Sequence, residues 1–327
     1  MTGINGQIGS YLYEILHQKD YLIYGLVRSK YSPKGLRDVI YVYCDIANTQ
    51  RLKEIIESIC PDEIYHLAGQ TNAVTSIAEP EETLWVNGNV VMSICEVIRR
   101  CKPLKEVKLF QANSAELFKG MDIGKVDEST LSFYPKNPYG IGKLASYWIV
   151  RYYRDHYGLY VCNGLIFNAE SPRRKACYVT TKIVQEVHKI VCGKTDTLQV
   201  GTIDSCRDWI HAQDVAQAAW MSLQQKQPED YIISLGHSHS VRTFIERAFS
   251  TAGMPIQWIR ERGSVEEKGV DRNGNIVVKI DPTLFRPYEQ TTKPLVGDNR
   301  KLLQIGWCPT YDIDGIICDM FENLNNT

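Results

Sequence analysis

The sequence has no long hydrophobic run. Its apolar stretches stop at strand length, as in Val161 to Phe167, far below the roughly 20 residues that a membrane-spanning helix takes. No basic segment followed by an apolar one opens the chain. These absences argue against a membrane role and make the cytoplasm the expected compartment. Net charge is nearly absent too: Lys+Arg 37 against Asp+Glu 38 leaves -1. No global field therefore recruits nucleic acid or an anionic surface, and any anion has to be bound locally. The ten cysteines never fall in C-x-x-C spacing. They are scattered through apolar segments (Cys44, Cys95, Cys162, Cys192), which predicts reduced, mostly buried thiols and no zinc site. There is no internal repeat and no low-complexity tract.

What is present is a rhythm. Leu12, Ile15 and Leu16 recur at helical spacing, Tyr21 to Val27 and Val39 to Cys44 read as strands, and Leu52, Ile55, Ile56 and Ile59 mark another helix. The alternation continues through Glu63 to Ala68 (strand), Glu81 to Arg100 (helix), Val107 to Ala112 (strand), Tyr139 to Tyr157 (helix) and Val161 to Phe167 (strand). Repeated βαβ units predict an α/β fold with a doubly wound, Rossmann-like parallel sheet covered by helices on both faces. After Asn168 the rhythm loosens, at Ser171-Pro172-Arg173-Arg174 and again in a charged, hairpin-like stretch from Arg260 to Lys279. The expected division is a dinucleotide-binding domain over 1–168 and a smaller α/β substrate lobe over 169–327. Segments near 207–236, including the strand-like Tyr231 to Leu235, should return to the first.

Gly3, Gly6 and Gly9 stand three apart, directly before an amphipathic helix. Glycines so placed let the backbone turn tightly and approach a pyrophosphate, whose charge meets free N–H groups and the helix dipole. Asn5, Gln7 and Ile8 complete this candidate cofactor loop. A dinucleotide loop should follow a central strand, yet the chain runs from Met1 straight into it; the expectation is a start at an internal methionine or a protein lacking that strand. Arg28 falls just beyond the second strand, where an acid would bind a ribose 2′-hydroxyl and an arginine pairs with a 2′-phosphate, favouring NADP over NAD. The alternative is a solvated strand-end arginine. Asp45 could accept from an adenine amino group or cap the following turn.

Tyr139 and Lys143 lie one helical turn apart on one face. An ammonium there should stabilise tyrosinate and pull the phenol below its usual value of about 10. The pair gains weight from Pro138, which pre-sets the first helical turn, and from the strand ending in Asn113-Ser114-Ala115-Glu116. Residues just past the carboxyl ends of parallel strands line the ligand crevice, so Ser114 and Glu116 should face Tyr139. A serine hydroxyl can bond the oxygen that Tyr139 deprotonates, and a carboxylate suits removal of a proton next to a carbonyl. On its own, Glu116 could equally be an ordinary loop carboxylate.

Three spans carry a resemblance: Phe133-Tyr134-Pro135-Lys136-Asn137-Pro138-Tyr139-Gly140-Ile141-Gly142-Lys143, then Asn163 to Phe167 with Asn168-Ala169-Glu170-Ser171-Pro172-Arg173-Arg174, and Arg207-Asp208-Trp209-Ile210-His211. Nearly end to end, the chain resembles the GDP-mannose 4,6-dehydratase family of extended short-chain dehydrogenases/reductases, with Trp148 and Arg286-Pro287 agreeing as well. The resemblance implies an NADP-dependent hydro-lyase acting on GDP-mannose. Tyr139, aided by Lys143 and Ser114, would take the C4 hydroxyl proton as hydride leaves; Glu116 would take the C5 proton; the C6 hydroxyl would depart, and hydride would return to C6. It further implies Ile46, Leu67, Ala68, Gly69 and Arg174 beside the cofactor, and Thr71, Asn168, Lys182, Arg207, Arg286 and Glu289 on the sugar nucleotide. For Arg207 an ion pair with Asp208 or Asp214 is the alternative.

The chain departs from the family pattern at Ser114 (threonine there), Ala115, Ile8 (an acid), Ala169 (a histidine) and Glu82 (a tyrosine). The stretch after Arg28 is also shorter than the family's assembly loop, so a homodimer and a homotetramer both remain expectations. A GDP-sugar reductase or epimerase, or a non-catalytic nucleotide-binding paralogue, are the competing readings.

Overall fold

The computed structural model describes residues 1–29, 35–286 and 293–324; Glu289 lies outside them. The first half builds α1 (Gln7–His17), β1 (Ile23–Val27), β2 (Val39–Tyr43), α2 (Thr49–Ile59), β3 (Glu63–His66), α3 (Ala73–Ala78), α4 (Pro80–Leu84), a π-helical turn (Trp85–Asn89), α5 (Val90–Cys101), β4 (Lys108–Ser114), β5 (Lys125–Val126), α6 (Pro138–Tyr157) and β6 (Val161–Ile166). Side chains punctuate these elements. The Asn48 side chain caps α2 by accepting from the Arg51 N–H, and α6 starts with Asn137 and Pro138 and ends at Gly158, whose φ of 58° is left-handed. The strand expected from Tyr21 begins two residues later. Asp20 at φ 59° and the bond from Tyr21 N–H to the Leu16 carbonyl are still closing the end of α1.

Met1 and Thr2 bridge two parts of the sheet ahead of the glycine loop. The Leu26 N–H donates to the Met1 carbonyl and the Thr2 N–H to that of Tyr65, so Thr2 bridges in parallel to both Leu26 and His66. Met1 to Thr2 thereby joins β2–β1 to β3–β4–β6. The Met1 amine donates to the Tyr24 carbonyl at 2.6 Å, and burial pulls its pKa down to about 5. Two hydrophobic layers clamp this sheet. Leu12, Leu16, Phe110 and Ala216 pack on one side, and Leu52, Ile94, Leu109 and Val150 on the other. Every residue of β6 is buried, as expected for a strand covered on both faces.

The second half supplies β7 (Asn168–Glu170), α7 (Val179–Val191), β8 (Leu198–Val200), β9 (Cys206–Arg207), β10 (Trp209–His211), α8 (Ala212–Leu223), β11 (Tyr231–Ile233), β12 (His239–Ser240), α9 (Val241–Thr251), β13 (Gln257–Ile259), β14 (Lys268–Val270), β15 (Ile276–Ile280), β16 (Val296–Gly297), α10 (Arg300–Gln304) and α11 (Ile313–Glu322). α8 lies against α1, and β11 pairs in parallel with β6. A separate core of Ile183, Val187, Leu198, Phe244, Phe249, Val278 and Ile316 joins α7, α9 and α11 to β8 and β15. Two buried charges knit the second half. Arg242 forks onto Asp204 and Glu267, and Asp208 accepts from the N–H groups of Leu235, Gly236 and Gly297.

All ten cysteines are free, but only Cys44, Cys95, Cys101 and Cys162 are buried, while Cys177, Cys192, Cys308 and Cys318 are exposed. The expectation of mostly buried thiols is therefore corrected. An apolar neighbourhood in sequence does not bury a residue on the outer face of an amphipathic helix, and Cys192 sits at the end of one. Among the described residues no cluster suits a metal ion, and no helix is long and apolar enough to cross a membrane.

Candidate active site

The glycine loop has the cramped geometry that requires glycine. Gly3 has φ +72°, and a Cβ there would lie 2.8 Å from the Ala68 nitrogen; on Gly9 it would lie 2.1 Å from the Gly3 carbonyl oxygen. The Gly6 N–H closes the turn onto the Gly3 carbonyl at 2.9 Å. Leu67, Ala68 and Gly69 are thus brought against the loop, with the Thr2 hydroxyl accepting from the Ala68 N–H at 3.1 Å. No side chain caps the N-terminus of α1, so the first-turn N–H groups of Gln7 and Ile8 suit an anion, here a pyrophosphate. The Gln7 side chain is committed elsewhere: it donates to the Ala169 carbonyl at 3.0 Å and accepts from the Ser171 hydroxyl at 3.0 Å. Asn5 lies within the turn.

Arg28 and Asp45 lie exposed just past the ends of β1 and β2, strands held side by side by parallel pairing. Asp45 accepts from the Ala47 N–H at 3.0 Å, the turn-capping alternative. Ile46 beside it is buried. This places a cation, a polar cap and an apolar wall along one rim of the loop.

β4 delivers Ser114 and a 3-10 turn delivers Glu116; α6 delivers Tyr139 and Lys143. The Ser114 hydroxyl lies near enough to pull the Tyr139 phenol down, and the Glu116 carboxylate near enough to push it up. The Lys143 ammonium donates to the Ala112 carbonyl at 2.7 Å and lies 5.9 Å from the centre of the Tyr139 ring. The expected lowering of the phenol is overturned here. Burial is the largest influence and pushes Tyr139 up to about 12, against the opposing pulls of Ser114 and Arg174. Burial also draws Lys143 down to about 8, because an ammonium loses more hydration in the protein than its one carbonyl returns.

Glu116 is held from two sides. Lys119 contacts Oε1 at 2.9 Å and the Asn137 amide donates to Oε2 at 3.1 Å. Across the cleft Arg174 stacks on the Tyr178 ring at 3.7 Å, meets the buried Glu170 at 3.0 Å and bonds the Ala169 carbonyl. Thr71 reaches the Tyr178 hydroxyl at 3.4 Å. Tyr178, which no motif had marked, is therefore a meeting point of Thr71 and Arg174 and lies near Tyr139.

Asn87 was missed as well. It sits buried in the π-helical turn, a device often found at functional sites. Its amide donates to the Gln70 carbonyl at 3.0 Å, and its Oδ1 has no donor among the described residues. A Cβ on Gly69 would come within 2.5 Å of that oxygen. The π-turn, which breaks the expected continuous Glu81 to Arg100 helix, could not be read from apolar spacing.

The proposed nucleotide-side residues are spread over the second half. Asn168 pairs in β7 with Trp209 of β10. Lys182 occupies the first turns of α7, near enough to Asp281 to favour that carboxylate's charge, after the Thr283 contacts. Arg207 pairs in β9 with His239 and donates to the Cys206 carbonyl at 2.7 Å. Its suggested partners are engaged by backbone N–H groups: Asp208 as above, and Asp214 by Thr310 and Tyr311. Arg286 is fixed through its own backbone to the Thr202 hydroxyl. Ser114, Glu116, Tyr139, Lys143 and Arg174 thus lie near one another, with Thr71 joined to them through Tyr178, whereas Lys182, Arg207 and Arg286 stand on separate elements of the second half.

The family model for GDP-mannose 4,6 dehydratase matches residues 1–320. A GDP-mannose 4,6-dehydratase of Vibrio cholerae is 37% identical over 345 residues, spanning 98% of this chain and 91% of that protein. Among solved structures, dTDP-glucose 4,6-dehydratase from Bacillus anthracis in complex with NAD superposes with a TM-score of 0.76 at 18% identity, over 100% of this chain and 96% of the other. RMD from Pseudomonas aeruginosa complexed with NADPH does so with a TM-score of 0.74 at 19% identity, over 99% and 97%. The structural likenesses establish the Rossmann-type fold, and the sequence matches say more: the chain belongs to the GDP-mannose 4,6-dehydratase family.

Proposed function

We propose that this protein is a nicotinamide-dependent hydro-lyase that converts GDP-mannose to GDP-4-keto-6-deoxy-mannose. The observation that carries the reading is that a phenol and a clamped carboxylate, Tyr139 and Glu116, lie close enough to influence each other just past the carboxyl end of β4. When bound, the cofactor supplies a hydride acceptor for C4, a hydride donor for C6, and a positive charge that favours ionisation of the Tyr139 phenol. NADP is the form proposed, on Arg28 at the end of β1.

Each protein group then has one task. Tyr139 takes the C4 hydroxyl proton, with the Ser114 hydroxyl beside it and Lys143 fixing the face of α6. The ketone so formed acidifies C5–H, and the Glu116 carboxylate removes that proton. The C5–H electron pair becomes the C5–C6 double bond as the C6–O bond breaks, and the departing hydroxide takes the proton from Glu116 to leave as water. A proton returns to C5 when C6 is reduced, so no cofactor is consumed. Asn168, Lys182, Arg207 and Arg286 are proposed to hold the GDP half, with 169–327 mainly the sugar-nucleotide lobe and 1–168, joined by segments near 207–236, the cofactor domain. The exposed side of α5 and α6, with Met92, Trp148, Tyr152 and Tyr157, is the face proposed for self-association into a homodimer or homotetramer.

Incubation with GDP-mannose and NADP should give a product lighter by one water with no net build-up or loss of NADPH, read by mass spectrometry and absorbance. Net NADPH consumption with a 4-keto substrate and no dehydration would instead identify a reductase. Tight NADPH binding without turnover would identify a non-catalytic relative.

A further inference from the structure

Asn137 performs two jobs with one side chain. Its Oδ1 accepts from the Gly140 N–H at 2.8 Å, capping α6, while its Nδ2 donates to Glu116 Oε2 at 3.1 Å. The first bond starts the helix that carries Tyr139, two residues on. The second reaches across to the turn that carries Glu116. Deeper in, Lys143 and Ser146 tie α6 to β4 at the Ala112 carbonyl and the Asn113 side chain, but among the hydrogen bonds described only Asn137 reaches from α6 to the Glu116 carboxylate itself. Packing reinforces the joint: a Cβ on Gly140 would lie 2.9 Å from Pro135 and 3.2 Å from the Glu116 carbonyl oxygen.

Lys119 grips the other carboxylate oxygen from a different footing. It stands three residues along on Glu116's own turn and is 44% exposed, so it balances charge without relating Glu116 to Tyr139, and solvent screens the pair. Asn137 links the Glu116 carboxylate itself to the start of the helix that carries Tyr139. The distinction matters because the two act in sequence on adjacent carbons of one ring, and a misplacement of about 1 Å can cost about a hundredfold in rate.

We propose that Asn137 is a positioning residue that sets the Glu116 carboxylate in register with Tyr139, so that proton removal at C5 can follow oxidation at C4 without the sugar moving. The inference rests on the dehydratase reading. It assigns Asn137 a selective effect: the C4 step, which uses Tyr139 and Ser114, should be spared, and the C5 step impaired.

Two substitutions separate this role from helix capping. Asn137→Ser keeps a capping oxygen but loses the amide donor, and Asn137→Asp keeps an even better cap while turning the donor into a second carboxylate facing Glu116. Both variants should melt within a few degrees of the parent. With GDP-mannose and NADP, Asn137→Ser should lose about tenfold in kcat and Asn137→Asp about a hundredfold, with KM changed less than threefold. In single-turnover traces both should accumulate reduced cofactor together with an unreleased 4-keto hexose, and incorporation of solvent deuterium at C5 should slow in step with kcat. Folded variants that lose kcat without that accumulation, or that match the parent in kcat, overturn the proposal. Parent protein that binds GDP-mannose and releases no water overturns the dehydratase reading and this inference with it, whereas normal parent turnover beside unaffected variants overturns the inference alone.

Discussion

Glu116→Gln should stall the reaction halfway. Glutamine keeps the size of the side chain and can still accept from Asn137, but it cannot take a proton from C5. Loss of a general base costs about 10²–10⁴ in rate, so kcat should fall by at least about a hundredfold while GDP-mannose still binds. Oxidation at C4 does not use Glu116, and rapid mixing should therefore show reduced cofactor rising to about one equivalent per site and persisting. The lost ion pair to half-exposed Lys119 is a minor term, on the order of 1 kcal/mol or less, so the melting temperature should move little. Steady turnover near the parent rate would remove Glu116 from the chemistry.

Tyr139→Phe should stop the same enzyme one step earlier. Phenylalanine fills nearly the same space but leaves the C4 hydroxyl proton without an acceptor. The expected loss in kcat is about 10³-fold or more, the upper part of the range for a proton-transfer group, and no reduced cofactor should appear in the first turnover. The contrast between the variants is the informative part. One accumulates reduced cofactor and the other does not, a pattern that general damage to the fold would not produce. If Tyr139→Phe accumulated reduced cofactor as Glu116→Gln should, Tyr139 would not be the C4 base.

Much of the main sheet was legible because period and composition agree. β6 is buried on both faces and reads as a mostly apolar run, α2 announces itself by the spacing of Leu52, Ile55, Ile56 and Ile59, and α6 by Pro138. The join made by Met1 and Thr2 was not legible, since two residues carry no periodicity; what they supply is backbone hydrogen bonding to β1 and β3. The π-turn around Asn87 escaped for a related reason, because one extra residue in a helical turn barely alters an apolar stripe.

At the cleft, Ser114, Glu116, Tyr139 and Lys143 were found by type and by position past strand ends. The direction of the Tyr139 shift was misjudged because a sequence shows a lysine one turn away but not that its ammonium is turned to the Ala112 carbonyl, nor how deeply the phenol is buried. Asn137 and Tyr178 were missed because their roles depend on tertiary partners: Asn137 gains meaning from Glu116 and Tyr178 from Thr71, both far away in sequence.

The account's central claim is that Tyr139 and Glu116 address neighbouring carbons of one bound hexose. GDP-mannose carrying deuterium at C4, turned over with unlabelled NADP in ordinary water, tests it most directly. The account predicts that the deuterium reappears at C6 of the released 4-keto-6-deoxy sugar, located by NMR. Deuterium found in released cofactor, or still at C4 after the substrate has bound and been processed, would contradict it.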